Sequence, residues 1–168
     1  EKAMQQRGNT QVLKELTRDK KFGPLAPHMI PAAWRHEQLK VLLTHPEADV
    51  NKLHNGKSLP EHFLKMPLEH PGSSEITSNA KKMITEVLDH PNFNHEVTAN
   101  GKNLKQILVQ KRSEYPESTK DLEQQHQTLR EGSLEQHNVE KKLNACRLLD
   151  DLSQHPKISK LPMLSIKL

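Results

Sequence analysis

Eleven histidines and one cysteine are the side chains of this 168-residue chain that could support metal or nucleophilic chemistry. Four of the histidines, His45, His70, His90 and His155, stand immediately before a proline. A zinc motif on a helix needs two His at helical spacing and a third ligand nearby, and no pair here meets that pattern. Three of the four His-Pro pairs occupy one position of an internal repeat, which points to a helix-ending role rather than ligation. Cys146 would need a base and an oxyanion hole to act as a nucleophile. It sits between Ala145 and Arg147 on a long helical stretch with no Gly-rich turn nearby, so the expectation is a partly exposed helix surface. No phosphate-cradling loop and no paired carboxylates stand out. The reading is a chain without catalytic residues, cofactor or metal site.

The remaining chemistry is recognition by polar side chains on turns. Lys52, His54, Asn55 and Lys57 cluster at one Asn-Gly turn, and His95, Thr98, Asn100 and Lys102 at a second. These eight are the expected contact residues for another protein. Lys57 and Lys102 follow the two Asn-Gly pairs directly, so their charges should point the same way and favour an acidic stripe on the partner.

Composition says which elements must carry those turns. Hydrophobic residues make up 33% of the chain and charged residues 27%, enough of the former for a packed core. One Trp, one Tyr and three Phe leave that core to aliphatic residues, which favours helices over strands. The formal charge is +4, but the bases are interleaved with acids, as in Glu140–Lys141–Lys142. That pattern argues against nucleic acid, which selects a clustered basic face. A small-molecule ligand has no motif to support it. Cys146 alone excludes an intrachain disulfide and fits a reducing, cytoplasmic environment. No apolar run approaches the ~18 residues of a membrane span. The chain opens on Glu1 with no signal-peptide pattern, so it reads as a piece of a longer protein whose targeting signals lie elsewhere.

An internal repeat organises the chain. His45–Pro46 recurs as His90–Pro91 and Asn55–Gly56–Lys57 as Asn100–Gly101–Lys102, both at an offset of 45 residues. Leu39, Leu42 and Leu43 fall on Ile84, Val87 and Leu88, Leu59 on Leu104, and Phe63 on Leu108. A third copy follows at an offset of 65, where His155–Pro156 matches His90–Pro91. There Asn79–Ala80 falls on Asn144–Ala145, and Met83, Ile84 and Val87 fall on Leu148, Leu149 and Leu152. Twenty extra residues therefore lie between Gly101 and Asn144.

The stretch Leu42–Leu43–Thr44–His45–Pro46–Glu47–Ala48–Asp49–Val50–Asn51, then Asn55–Gly56–Lys57–Ser58–Leu59, resembles an ankyrin-repeat junction. Leu88–Asp89–His90–Pro91–Asn92–Phe93–Asn94, then Asn100–Gly101–Lys102–Asn103–Leu104, is a worn version. The Thr-Pro-Leu-His signature is missing, with Ser58–Leu59–Pro60–Glu61 in its place. The period of 45 exceeds the ~33 of ankyrin repeats, with the excess expected between the two helices. The resemblance implies an all-α stack of helix-turn-helix units at about 10–55, 56–100 and 101–160, with a helical insertion at about 113–143 enlarging the third. It implies a protein-binding module. The Gln, Asn, Lys and His usage is similar to that of ankyrin-repeat effectors of intracellular bacterial pathogens, which would make the partner a host protein and place the module inside a host cell.

Capping and periodicity give the elements. A first helix is expected over Thr10–Arg18, with Val12, Leu13 and Leu16 inward. A Pro-rich loop from Phe22 to Pro31 leads to a helix carrying Trp34, Leu39, Leu42 and Leu43. Further helices are expected over Leu59–Met66, Asn79–Asp89 and Leu104–Arg112, with a loop from Pro67 to Ser78. Capping boxes at Ser118–Asp121 and Ser133–Gln136 predict helices over Ser118–Glu131 and Leu134–Gln154, broken at Gly132. The insertion should be rigid and project from the stack. The apolar tail 161–168 should cap the stack or lead into another unit.

Overall fold

A computed structural model describes residues 10–18 and 23–163. Phe22 and the tail Leu164–Leu168 lie outside the described residues. Among those residues the chain is all-α, with eight α-helices, one 3-10 run and no strand. The α-helices are α1 (Thr10–Arg18), α2 (His36–Leu43), α3 (Leu59–Glu69), α4 (Ser74–Asp89), α5 (Leu104–Ser113), α6 (Thr119–Thr128), α7 (Leu134–Ser153) and α8 (Pro156–Ser159). The 3-10 run is Gly23–Ala32, where a Pro-rich loop was expected. Pro24, Pro27 and Pro31 have no amide hydrogen to give, and the chain winds tightly there instead of forming an α-helix.

The helices pack in two rows. The 3-10 run, α3 and α5 are neighbours in one row, and α2, α4 and α7 in the other. Across the rows, α2 meets the 3-10 run, α3 meets α4, and α5 meets α7. One apolar core runs between the rows and contains Leu39, Leu42, Leu59, Phe63, Ile84, Val87, Leu88, Leu104, Leu108, Leu148, Leu149 and Leu152. These are the positions that align at the two offsets. Each fully buried Leu contributes about 1.5–3 kcal/mol through removal from water. Leu43 departs from the pattern and is only half-buried, packed against the edge of the core. Val12 is 37% exposed where an inward position was expected, while Leu13 is buried. Trp34 precedes α2 rather than lying within it.

Asparagines couple one unit to the next. The Asn79 carboxamide on α4 accepts from the His36 amide at 2.9 Å and donates to the Trp34 carbonyl, holding the segment that opens α2. Asn144, its counterpart on α7, donates to the Pro71 carbonyl at 2.9 Å and holds the segment that opens α4. Asn51 spans the turns in the same way, donating to the Asn92 carbonyl at 2.8 Å and accepting from the Asn94 amide at 2.7 Å.

Three boundaries differ from expectation, the third being the end of α6 at Thr128 rather than Glu131. α3 runs through Pro67 to Glu69, since a proline in the last turn forfeits only one hydrogen bond. α4 begins at Ser74, where Ser73 accepts from the Ile76 amide. The connection is thus residues 70–73 rather than Pro67–Ser78. The long segment expected between the two helices is therefore absent.

The insertion is helical, as expected, and forms an arm in which α6 lies along α7. Ser118 and Ser133 each accept from the backbone amide three residues on, at 3.1 Å, and Gly132 breaks the chain at φ +74°. The second expected capping box does not close on its own cap, for Gln136 accepts from the Gly132 amide instead. A complete box forms at Asn103 and Gln106. α6 packs along α7 and closes a second small core of Leu122, Leu143 and Cys146. Cys146 is therefore fully buried, correcting the expectation of a surface thiol. Its counterpart at the same repeat position is Lys81, which is exposed and paired with Asp151; α6 covers that face in the third unit alone. Leu134 stays 74% exposed near the tip of the arm.

Candidate functional site

The two Asn-Gly turns are built alike. Asn55 and Gly56 have φ of 52° and 75°, and Asn100 and Gly101 have 55° and 74°. Positive φ at both central residues is the type I′ geometry, in which Asn is the non-glycine residue best tolerated. His54 pairs with Lys57, and Ala99 with Lys102, through reciprocal backbone hydrogen bonds. Upstream, Asp49 accepts from the Asn51 amide at 2.9 Å and Asn94 from the Glu96 amide at 3.0 Å.

The His-Pro pairs open these segments. The proline has no amide hydrogen, so the next residue carries the first donor after the helix. His45 Nδ1 accepts from the Glu47 amide at 3.1 Å, His90 from the Asn92 amide at 3.1 Å, and His155 from the Lys157 amide at 3.2 Å. One interaction in three copies accounts for histidine at this position without a metal. Among the described residues no three His, Cys, Asp or Glu side chains gather as a metal site requires. Burial pushes the Cys146 thiol up, against a smaller opposing pull from Arg112. Such a thiol is a poor nucleophile at neutral pH.

The eight expected contact residues divide into two kinds. Lys52, Asn55, Lys57, Thr98 and Asn100 are exposed on the turns. His95, Lys102 and His54 are not free in the same sense. His95 Nε2 donates to the Leu88 carbonyl at 2.7 Å and its ring stands edge-on to Phe93. Lys102 is half-buried and donates to Gln110 Oε1 at 2.6 Å, so it does not project as Lys57 does. His54 is half-buried, with an Nε2 that has no partner among the described residues. Burial, then His62 and Lys52, hold the His54 ring below the usual histidine range, with Asp49 acting the other way.

A depressed histidine has a definite pH sign. The unfolded chain takes up the proton first, so stability is retained above the unfolded value near ~6.5 and lost as pH falls below it. Wild-type protein should lose more melting temperature than His54→Gln between about pH 7 and pH 5. Equal losses would show that the neutral ring carries no part of the turn.

A groove that no motif announces lies at the other end of the helix pairs. It has a volume of about 600 Å³ between the Pro31–Arg35 segment, the end of α3 and the first half of α4. Phe63, Met83 and Ala80 lie along it, and Trp34 and Met66 remain 37% and 48% exposed at its edge. Arg35 stacks over Trp34 at 5.0 Å and reaches Glu75 at 3.7 Å. Concave apolar sites of this size can take small ligands, a class for which the sequence carries no motif.

Fold and surface together describe paired helices in two rows, with matched turns at one end and a clamped arm at the third unit. Compared with known protein families, curated proteins and solved structures, the chain matches none. No helix among the described residues is long and apolar enough to cross a membrane.

Proposed function

We propose that this chain is a protein-recognition module of the ankyrin-like kind, which meets its partner through the turn end and the row formed by α3 and α5. The observation that carries this reading is the pair of type I′ turns of matching φ, set 45 residues apart on helices that pack side by side. Stacked units of this sort expose a continuous surface whose residues vary freely because the core lies elsewhere. The likeness in composition to pathogen effectors would make the partner a host protein.

Two other readings compete, a helical spacer and the helical portion of an enzyme. A photo-crosslinking residue at Leu53, which is 41% exposed on the first turn, separates them from recognition. Recognition through the turns predicts a discrete cross-linked protein, suppressed by excess unlabelled chain and reproduced with that protein purified. A second probe at Leu134 on the arm serves as the comparison. Cross-links from Leu134 alone would move the interface to the arm. None from either position would favour the spacer.

A further inference from the structure

We propose that Lys57 and Lys65 form a cationic notch on the second unit that receives a carboxylate from an acidic segment of the partner protein; this rests on the recognition reading. The argument compares two copies of one structure. In the third unit Lys102 follows the type I′ turn, and its ammonium donates to Gln110 Oε1 at 2.6 Å. The corresponding residues of the second unit are Lys57 and Lys65.

The backbones match over this stretch. The turn residues agree in φ to within a few degrees, and the caps that follow, Ser58 (φ −66°, ψ 160°) and Asn103 (φ −83°, ψ 173°), are both extended. Helices α3 and α5 then start at equivalent residues, Leu59 and Leu104. Residues 57 and 65 are therefore placed as 102 and 110 are, close enough for side-chain tips to meet. Where the third unit sets a lysine against a carbonyl oxygen, the second carries a lysine at each of the two positions.

Both lysines are exposed, and neither ammonium has a partner among the described residues. Lys52 and the unpartnered Nε2 of His54 lie on the same turn. Among the described residues no acid forms an ion pair with either lysine. Glu61, one turn before Lys65, forms no ion pair with it and keeps one carboxylate oxygen buried. Asp49 already accepts from the Asn51 amide. Two like charges brought near each other repel, and a carboxylate between them turns the repulsion into attraction. Phosphate of a nucleic acid is the less suitable occupant, since single strands also want aromatic platforms and no Phe, Tyr or Trp lies on this turn.

The test uses acetylated hexaglutamate as the probe and the whole chain as the receptor, at low salt. Chemical-shift changes should centre on residues 52–65 and spare 99–111. Lys65→Gln installs the arrangement of the third unit, so it should leave the thermal transition in place and weaken the peptide about two- to fivefold, the range spanned by exposed ion pairs. Gln110→Lys should build a second notch beside Lys102 and strengthen binding by a similar factor. Unchanged affinity in Lys65→Gln, or tighter binding of a decathymidylate strand than of the peptide, would overturn the proposal. Either result leaves the recognition reading standing, because the Leu53 cross-link does not depend on charge.

Discussion

Leu88→Ala is expected to lower the unfolding free energy by about 2–5 kcal/mol, the cost of deleting a fully enclosed leucine from a packed core. Leu88 has no exposed surface and lies on α4, which has α2 on one side and α7 on the other. The void left behind cannot collapse easily, because Leu42 and Leu149 on the flanking helices of the same row are themselves fully buried in the core. Leu43→Ala, at the aligned position in the first unit, should cost clearly less, since Leu43 is half-buried. Urea unfolding of the two variants gives the comparison, and a shared slope would show that neither changes the denatured state. Equal losses would mean that the first unit is as enclosed as the second.

Arg112→Ala should have the second large effect, about 2–3 kcal/mol, because it breaks a charged hydrogen-bond cluster at the root of the arm. Arg112 Nε reaches Asp150 at 3.0 Å, and its two terminal nitrogens hold the Tyr115 and Glu117 carbonyls at 2.6 and 3.0 Å. Thr119 completes the cluster by donating to the other Asp150 oxygen at 2.9 Å. One guanidinium thus joins the end of α5, the strap that follows it, and α7. The pair is only partly shielded, with side-chain exposures of 23% and 39%, which sets the figure below that of a fully buried ion pair. Hydrogen exchange should show the amides of α6 opening faster in the variant, while α3 and α4 keep their protection. If α6 exchanges as in the wild type, the small core around Leu122 holds the arm unaided.

The repeat was legible because its signals are local. An Asn-Gly pair needs positive φ wherever it forms a type I′ turn, and a His-Pro pair ends a helix whatever surrounds it. Periodic leucines then marked the rows. Less legible were the features set by tertiary packing. Nothing local says that Cys146 is covered, although a cysteine at the repeat position of exposed Lys81 was a usable hint. The early start of α4 was hidden because Ser73 caps without a glutamate three residues on to close a box. At the candidate surface, Lys57 and Lys102 looked alike by position. They differ because of a residue eight places further along, lysine in one unit and glutamine in the other. The groove beside Trp34 draws on three separate segments, so no window of sequence displays it.

The arrangement of units rests most directly on the asparagines that tie each unit to the one before. A nuclear Overhauser spectrum of the labelled chain tests it in one measurement. The side-chain amide protons of Asn79 should show contacts to Trp34 and Arg35, and those of Asn144 to Pro71 and Gly72. Contacts from Asn144 confined to its own helix would contradict the order α2, α4, α7 and with it the stack.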